Sequence, residues 1–137
     1  MTNQEAFTLI VQHLRTQGVP AVNATTGCVY RHKDGIRRCA VGVLIPDEEY
    51  DIRLEGLTVE DIYDKVPALQ AVSQELLSAM QNAHDSWDHH KSDFTWIEEQ
   101  YTSVAERFGL VVPTHPCAEP AIAEVESVNL SREEVRL

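Results

Sequence analysis

The chain has 137 residues, 43% hydrophobic and 24% charged, and its 22 acidic against 11 basic side chains leave a formal net charge of −11. That length makes one domain, or one domain with a tail, and buries enough surface to fold without a disulfide or a metal. The acidic surplus excludes general binding to nucleic-acid backbones, which needs an excess of cations, and steers the chain toward basic partners.

Thr2-Asn3-Gln4-Glu5 is a capping box. Phe7, Ile10, Val11 and Leu14 follow at helical spacing and Gly18 is a good stop, so residues 3–17 are expected to form an amphipathic helix. Cys28-Val29-Tyr30-Arg31 is short and β-prone, and His32-Lys33-Asp34-Gly35 has turn chemistry. With Ile36-Arg37-Arg38-Cys39 after it, the stretch 27–39 reads as a β-hairpin. Residues 40–45 are apolar, either a buried helical turn or a strand extension, and 47–56 read as an acidic loop. Thr58 looks like the start of a second helix, and Pro67 suits the first position of a third. Leu69, Val72, Leu76, Leu77, Met80, Ala83 and Trp87 give that third helix one apolar face. Ser92 or Asp93 can cap a last helix with the face Phe94, Ile97, Tyr101, Val104 and Phe108, and Gly109 ends it. Trp87 and Trp96 are both expected in the core. The fold class that follows is α+β and mostly α: about four amphipathic helices with one hairpin near residues 27–39, lying across them.

Residues 1–110 are expected to form the globular domain and 111–137 an extended tail. Pro113, Pro116 and Pro120 forbid helix in the first part of the tail, and Ser131-Arg132-Glu133-Glu134 can cap a final turn. The tail is where self-association is expected, so a homodimer through it is the oligomer to test. The N-terminal residues lack the pattern of a secretory signal, and no apolar run is long enough to span a bilayer. Cys28, Cys39 and Cys117 are therefore read as thiols in a reducing cytosol.

Several residues form a recognisable block: Cys28-Val29-Tyr30-Arg31, Gly35, Cys39-Ala40-Val41-Gly42-Val43-Leu44-Ile45-Pro46-Asp47, then Tyr50 and Glu55-Gly56. Leu76-Leu77, His84-Asp85 and Val104-Ala105-Glu106-Arg107-Phe108-Gly109-Leu110 extend it. Over residues 5–110 this pattern resembles a family of small, uncharacterised proteins from tailed phages, prophages and bacteria. The resemblance brings no activity with it. It implies a bacterial or phage cytoplasmic setting, in which small acidic accessory proteins often inhibit host machinery.

Four constellations carry possible chemistry. Cys39 follows Arg37 and Arg38, and neighbouring cations favour the nucleophilic thiolate; His84 and Asp85 would then supply base and orienter. The alternative for Cys39 is a small buried hydrophobe, and for His84 a satisfied core histidine. Cys28, Cys39 and His84, with His89 or His90 as a fourth ligand, have the right chemistry for zinc, although no cofactor is required and the spacing is not that of a zinc finger. Arg31, Arg37 and Arg38 could grip one phosphate group of a small ligand or nucleotide. Residues 28–39 carry Arg31, Lys33, Arg37 and Arg38 against Asp34, while residues 40–64 carry eight acids against Arg53. Either the two blocks pair internally, or Asp47, Glu48, Glu49, Asp51 and Glu55 approach a basic site on a partner. The leading expectation is a non-enzymatic partner-binding accessory protein of phage type, a stoichiometric inhibitor of a host protein such as a defence component. A small enzyme or metal protein, and a small-ligand module, are the alternatives.

Overall fold

The computed structural model describes residues 1–23 and 27–114. The readings of the tail beyond Thr114, including Cys117, the capping box at Ser131 and dimerisation through it, lie outside the described residues.

Helix α1 spans Asn3–Gln17. Thr2 accepts from the Glu5 amide while the Glu5 carboxylate accepts from the Thr2 amide, so the capping box closes as the sequence requires. Gly18 ends the helix at φ 76°, a left-handed conformation costly for residues with a Cβ. Ala6, Phe7, Ile10, Val11 and Leu14 are buried on one stripe. Fully burying side chains of the larger kinds contributes about 1.5–3 kcal/mol each before ordering entropy is counted.

Two short strands follow, β1 (Val22–Asn23) and β2 (Gly27–Cys28), paired antiparallel with Val22 opposite Cys28. The hairpin expected over 27–39 keeps its chain reversal, but its ladder is reduced to the single bridge Arg31↔Arg38. The reason lies in the donors. The Tyr30 and Arg31 amides both go to the Glu55 carboxylate, at 2.9 and 3.1 Å, so no partner strand receives them. Asp34 shapes the turn by accepting from the Ile36 and Arg37 amides, and these bonds, with the Arg37 guanidinium, hold its carboxyl well below the usual range.

Residues 39–45 are largely buried, and a 3-10 turn at Gly42–Leu44 packs against α1. The acidic stretch holds two more 3-10 turns, Asp47–Glu49 and Ile52–Leu54. Helix α2 is Val59–Tyr63, capped by Thr58. Pro67 starts a 3-10 turn, Pro67–Ala71, rather than the long helix, which begins only after Ser73 caps it. Leu69 and Val72 are thus buried from the turn that leads into α3 (Gln74–His89) and not from the helix itself. Lys91 and Ser92, both at φ 58°, carry the chain round to α4 (Phe94–Phe108), which Asp93 caps and Gly109 ends. The molecule is mostly helical, with four α-helices among the described residues.

Helix α3 is central: it packs on α2 and on α4. Trp87 is buried, its indole N–H donating to the Asp93 carbonyl, and Trp96 is half-buried and stacked on His90 at 4.0 Å. Arg15 of α1 makes two 2.8 Å bonds to Glu98 of α4 and a third to the Pro113 carbonyl. Gln4 pairs with both backbone groups of Val111. The chain therefore stays on the domain past residue 110, as far as Pro113.

Candidate functional site

Three of the sequence candidates meet. The ligand atoms of Cys28, His84 and Asp85 all lie within 4.8 Å of one another, a spacing at which one metal ion can be held. Cys39 is not part of that group, which corrects the expected Cys28–Cys39–His84 set. His89 and His90 are not part of it either.

The hydrogen bonds of His84 decide what the group does. The Ala21 amide donates to Nε2 at 2.9 Å, so Nε2 carries no proton. The proton of the neutral ring then sits on Nδ1, 3.1 Å from the Asp85 carboxylate. A metal on Nδ1 would need that proton removed and the Ala21 bond kept, which leaves an imidazolate, or the proton moved to Nε2, which sets two donors face to face. The Asp85 oxygen that faces His84 also accepts from Gln81, and the Gln81 carbonyl accepts from the buried Val41 amide. The result is one chain of bonds, Ala21 to His84 to Asp85 to Gln81 to Val41, tying α3 to the segments before β1 and after Cys39. His84 is the satisfied core histidine of the two readings. Gln81 went unnoticed in the sequence; its one signal is its position four residues before Asp85 on the same helix face.

Cys39 does not carry the thiolate that its arginine neighbours suggested. It is fully buried, and desolvation pushes its thiol up from the ordinary value despite a bond from the Gly42 amide to its sulfur. Arg37 and Arg38 spend their charge elsewhere, on Asp34 at 2.7 Å and Asp47 at 3.7 Å. Cys28 is half-buried and, mainly by desolvation, is pushed up to about 12. Starting from 9.0, that leaves roughly a thousandfold less thiolate at neutral pH than a free thiol has. Maleimide labelling of the native protein at pH 8, mapped by mass spectrometry, is expected to leave Cys39 unmodified and Cys28 slowed by about that factor. Both should label fully in urea. Free-thiol rates at Cys39 in the native state would restore the nucleophile. Because folding keeps both thiols protonated, the stability they contribute is whole below about pH 9.0 and is lost as pH rises toward 12.

The arginines do converge. A cleft of about 450 Å³ is lined by Arg31, Lys33, Arg37 and Arg38 together with Val29, Tyr50, Ile52 and Glu55. Arg31 lies over the Tyr50 ring, 4.4 Å from its centroid, and donates to the Ile45 carbonyl and to Asp47, both at 2.8 Å. Its Nε is buried without a partner among the described residues. Glu55 accepts from the Tyr50 hydroxyl as well as from the Tyr30 and Arg31 amides, and so fixes the cleft floor.

The acidic loop is largely spent inside the chain. Asp47 faces Arg31 and Arg38, Glu49 accepts from the Ala68 amide, and Glu55 holds the cleft. Asp51 pairs with Arg53, whose side chain leads the bonds that hold its carboxyl down to about 2. Of the five acids expected to meet a partner, four are therefore engaged locally. Among the described residues no helix is long and apolar enough to cross a membrane.

These features define a small, mostly helical domain with a charged open cleft. No family model, curated protein or solved structure matches the chain.

Proposed function

We propose that the chain is a non-enzymatic, partner-binding accessory protein of phage type, acting stoichiometrically on a host protein, with a defence component as the target class. The observation that carries this reading is the cleft at Arg31, Lys33, Arg37 and Arg38, a concentrated basic feature on a chain with net charge −11. An exposed apolar side chain lines it as well: Ile52 is 73% exposed. Cations flanked by exposed apolar groups suit an acidic segment of another protein. The contact surface is then the basic cleft and not the acidic loop.

Tagged protein is expected to capture a host protein in stoichiometric amount from bacterial lysate at low salt. Capture should fall in high salt and be lost in the R37E/R38E variant while its melting curve stays normal. Absence of any stoichiometric partner, or capture that ignores both salt and the variant, would end this reading.

The convergence of Arg31, Arg37 and Arg38 also favours a second reading, a small-ligand or nucleotide module. A nucleotide at 100 times its dissociation constant adds about 2.7 kcal/mol, which a thermal-shift panel detects. No shift across the panel removes it.

A further inference from the structure

We infer that Asp47 is a resident stand-in for the partner's carboxylate, and that an acidic protein segment docks by taking its place between Arg31 and Arg38. The inference rests on the partner-binding reading above. Asp47 Oδ1 lies 2.8 Å from the Arg31 guanidinium and 3.7 Å from that of Arg38. The two sides of this contact differ in how firmly they are held. The Arg31 side chain is only 18% exposed, stacked on Tyr50 and bonded to the Ile45 carbonyl. The Asp47 side chain is 82% exposed, and the two arginines are its partners among the described residues. The carboxylate of this pair is solvated in place, so one carboxylate can exchange for another without the Arg31 side chain moving. A guanidinium offers five donors in a planar fork that matches a carboxylate, and Arg31 uses few of them.

The charge around the cleft selects the anion. Four cations, Arg31, Lys33, Arg37 and Arg38, stand with three carboxylates, Asp34, Asp47 and Glu55. That balance suits a single negative charge and is poor for a dianionic phosphate. Ile52, which lines the cleft and is exposed, offers contact to an apolar side chain beside the incoming acid. A Glu or Asp flanked by aliphatic residues in an extended segment has both features.

The test uses full-length protein and a fluorescein-labelled peptide of alternating Glu and Leu, with binding followed by anisotropy and by the Arg31 Nε–Hε resonance. D47N removes the resident charge and keeps the shape. It is expected to bind the peptide about two- to fivefold more tightly than the wild type, since the competing pair is gone. R38E should lose binding, and millimolar inorganic phosphate should not compete. Equal or weaker binding by D47N, no peptide binding by either protein, an unmoved Arg31 resonance, or competition by phosphate would each overturn the inference. Failure here is separable from failure of the parent reading. If lysate capture stays sensitive to R37E/R38E while D47N changes nothing, the cleft binds its partner without displacing Asp47. If capture is insensitive to both, the cleft is not the interface.

Discussion

Gly42→Ala should leave the protein unfolded or destabilised by at least about 3 kcal/mol, at the top of the range for overpacking. The space is decided by backbone. A Cβ at position 42 would collide with the carbonyl oxygen and carbonyl carbon of Tyr30 and press on its Cα. Neither chain can retreat. Tyr30 is held by the Cys39 amide donating to its carbonyl and by its own amide donating to Glu55. On the other side the Gly42 amide donates to the Cys39 sulfur and the Val41 amide to Gln81. Gly35→Ala is the control, because Gly35 sits in open space at φ 78° and its substitution costs only the left-handed backbone term, about 1–2 kcal/mol. Urea unfolding followed by circular dichroism compares the two. If the Gly42 variant is no less stable than the Gly35 variant, the close approach of residues 30 and 42 is wrong. The prediction also gives the Cys-Ala-x-Gly-x-Leu-Ile-Pro-Asp block a physical meaning. Residues 39–45 of it form a largely buried turn with the Cys39 sulfur as acceptor.

His84→Ala is the second large effect, with an expected loss of about 4 kcal/mol. It opens a cavity in a fully buried site and strips the buried Ala21 amide of its acceptor. Asp85→Asn should cost far less, about 1 kcal/mol, because the amide oxygen still accepts from His84 and Gln81. This contrast separates a structural clamp from a working site. A catalytic base with its orienter, or a metal ligand set, would lose function in both variants alike. Partner capture that is preserved in Asp85→Asn supports the clamp. Capture abolished in a well-folded Asp85→Asn protein would return the site to chemistry.

What could be read from the sequence is what acts over three or four residues. The Thr2–Glu5 box, the Gly18 and Gly109 stops and the Asp93 cap all formed where the residues placed them, since a cap bonds amides within one turn. The apolar stripe of α1 was visible for the same reason, and that of α4 in part: Ile97 and Tyr101 are buried, Val104 and Phe108 are partly buried, and Phe94 at the helix start is exposed. Pro67 was misleading because a proline is equally at home at the start of a 3-10 turn, and Ser73 is the better cap for the long helix. The arginines of the 31–38 turn were recognisable as a cluster, being close in the chain.

The roles of the candidates depended on partners far along the chain. His84 reads as a base until the Ala21 amide, 63 residues away, takes Nε2, and Val41 meets Gln81 across 40 residues. Cys39 sits beside two arginines in sequence, yet burial by packed helices fixes its thiol as neutral, and desolvation is a property of the whole fold. The hairpin shrank to one bridge because Glu55, more than twenty residues on, took its amides. Local bonding and apolar periodicity are written in neighbouring residues, so the sequence determined α1 and α4 and their capped ends. Burial and the choice of hydrogen-bond partner arise only when distant segments are brought together, so the tertiary structure alone decided that the histidine clamps, the cysteine is sealed and the arginines face an open cleft.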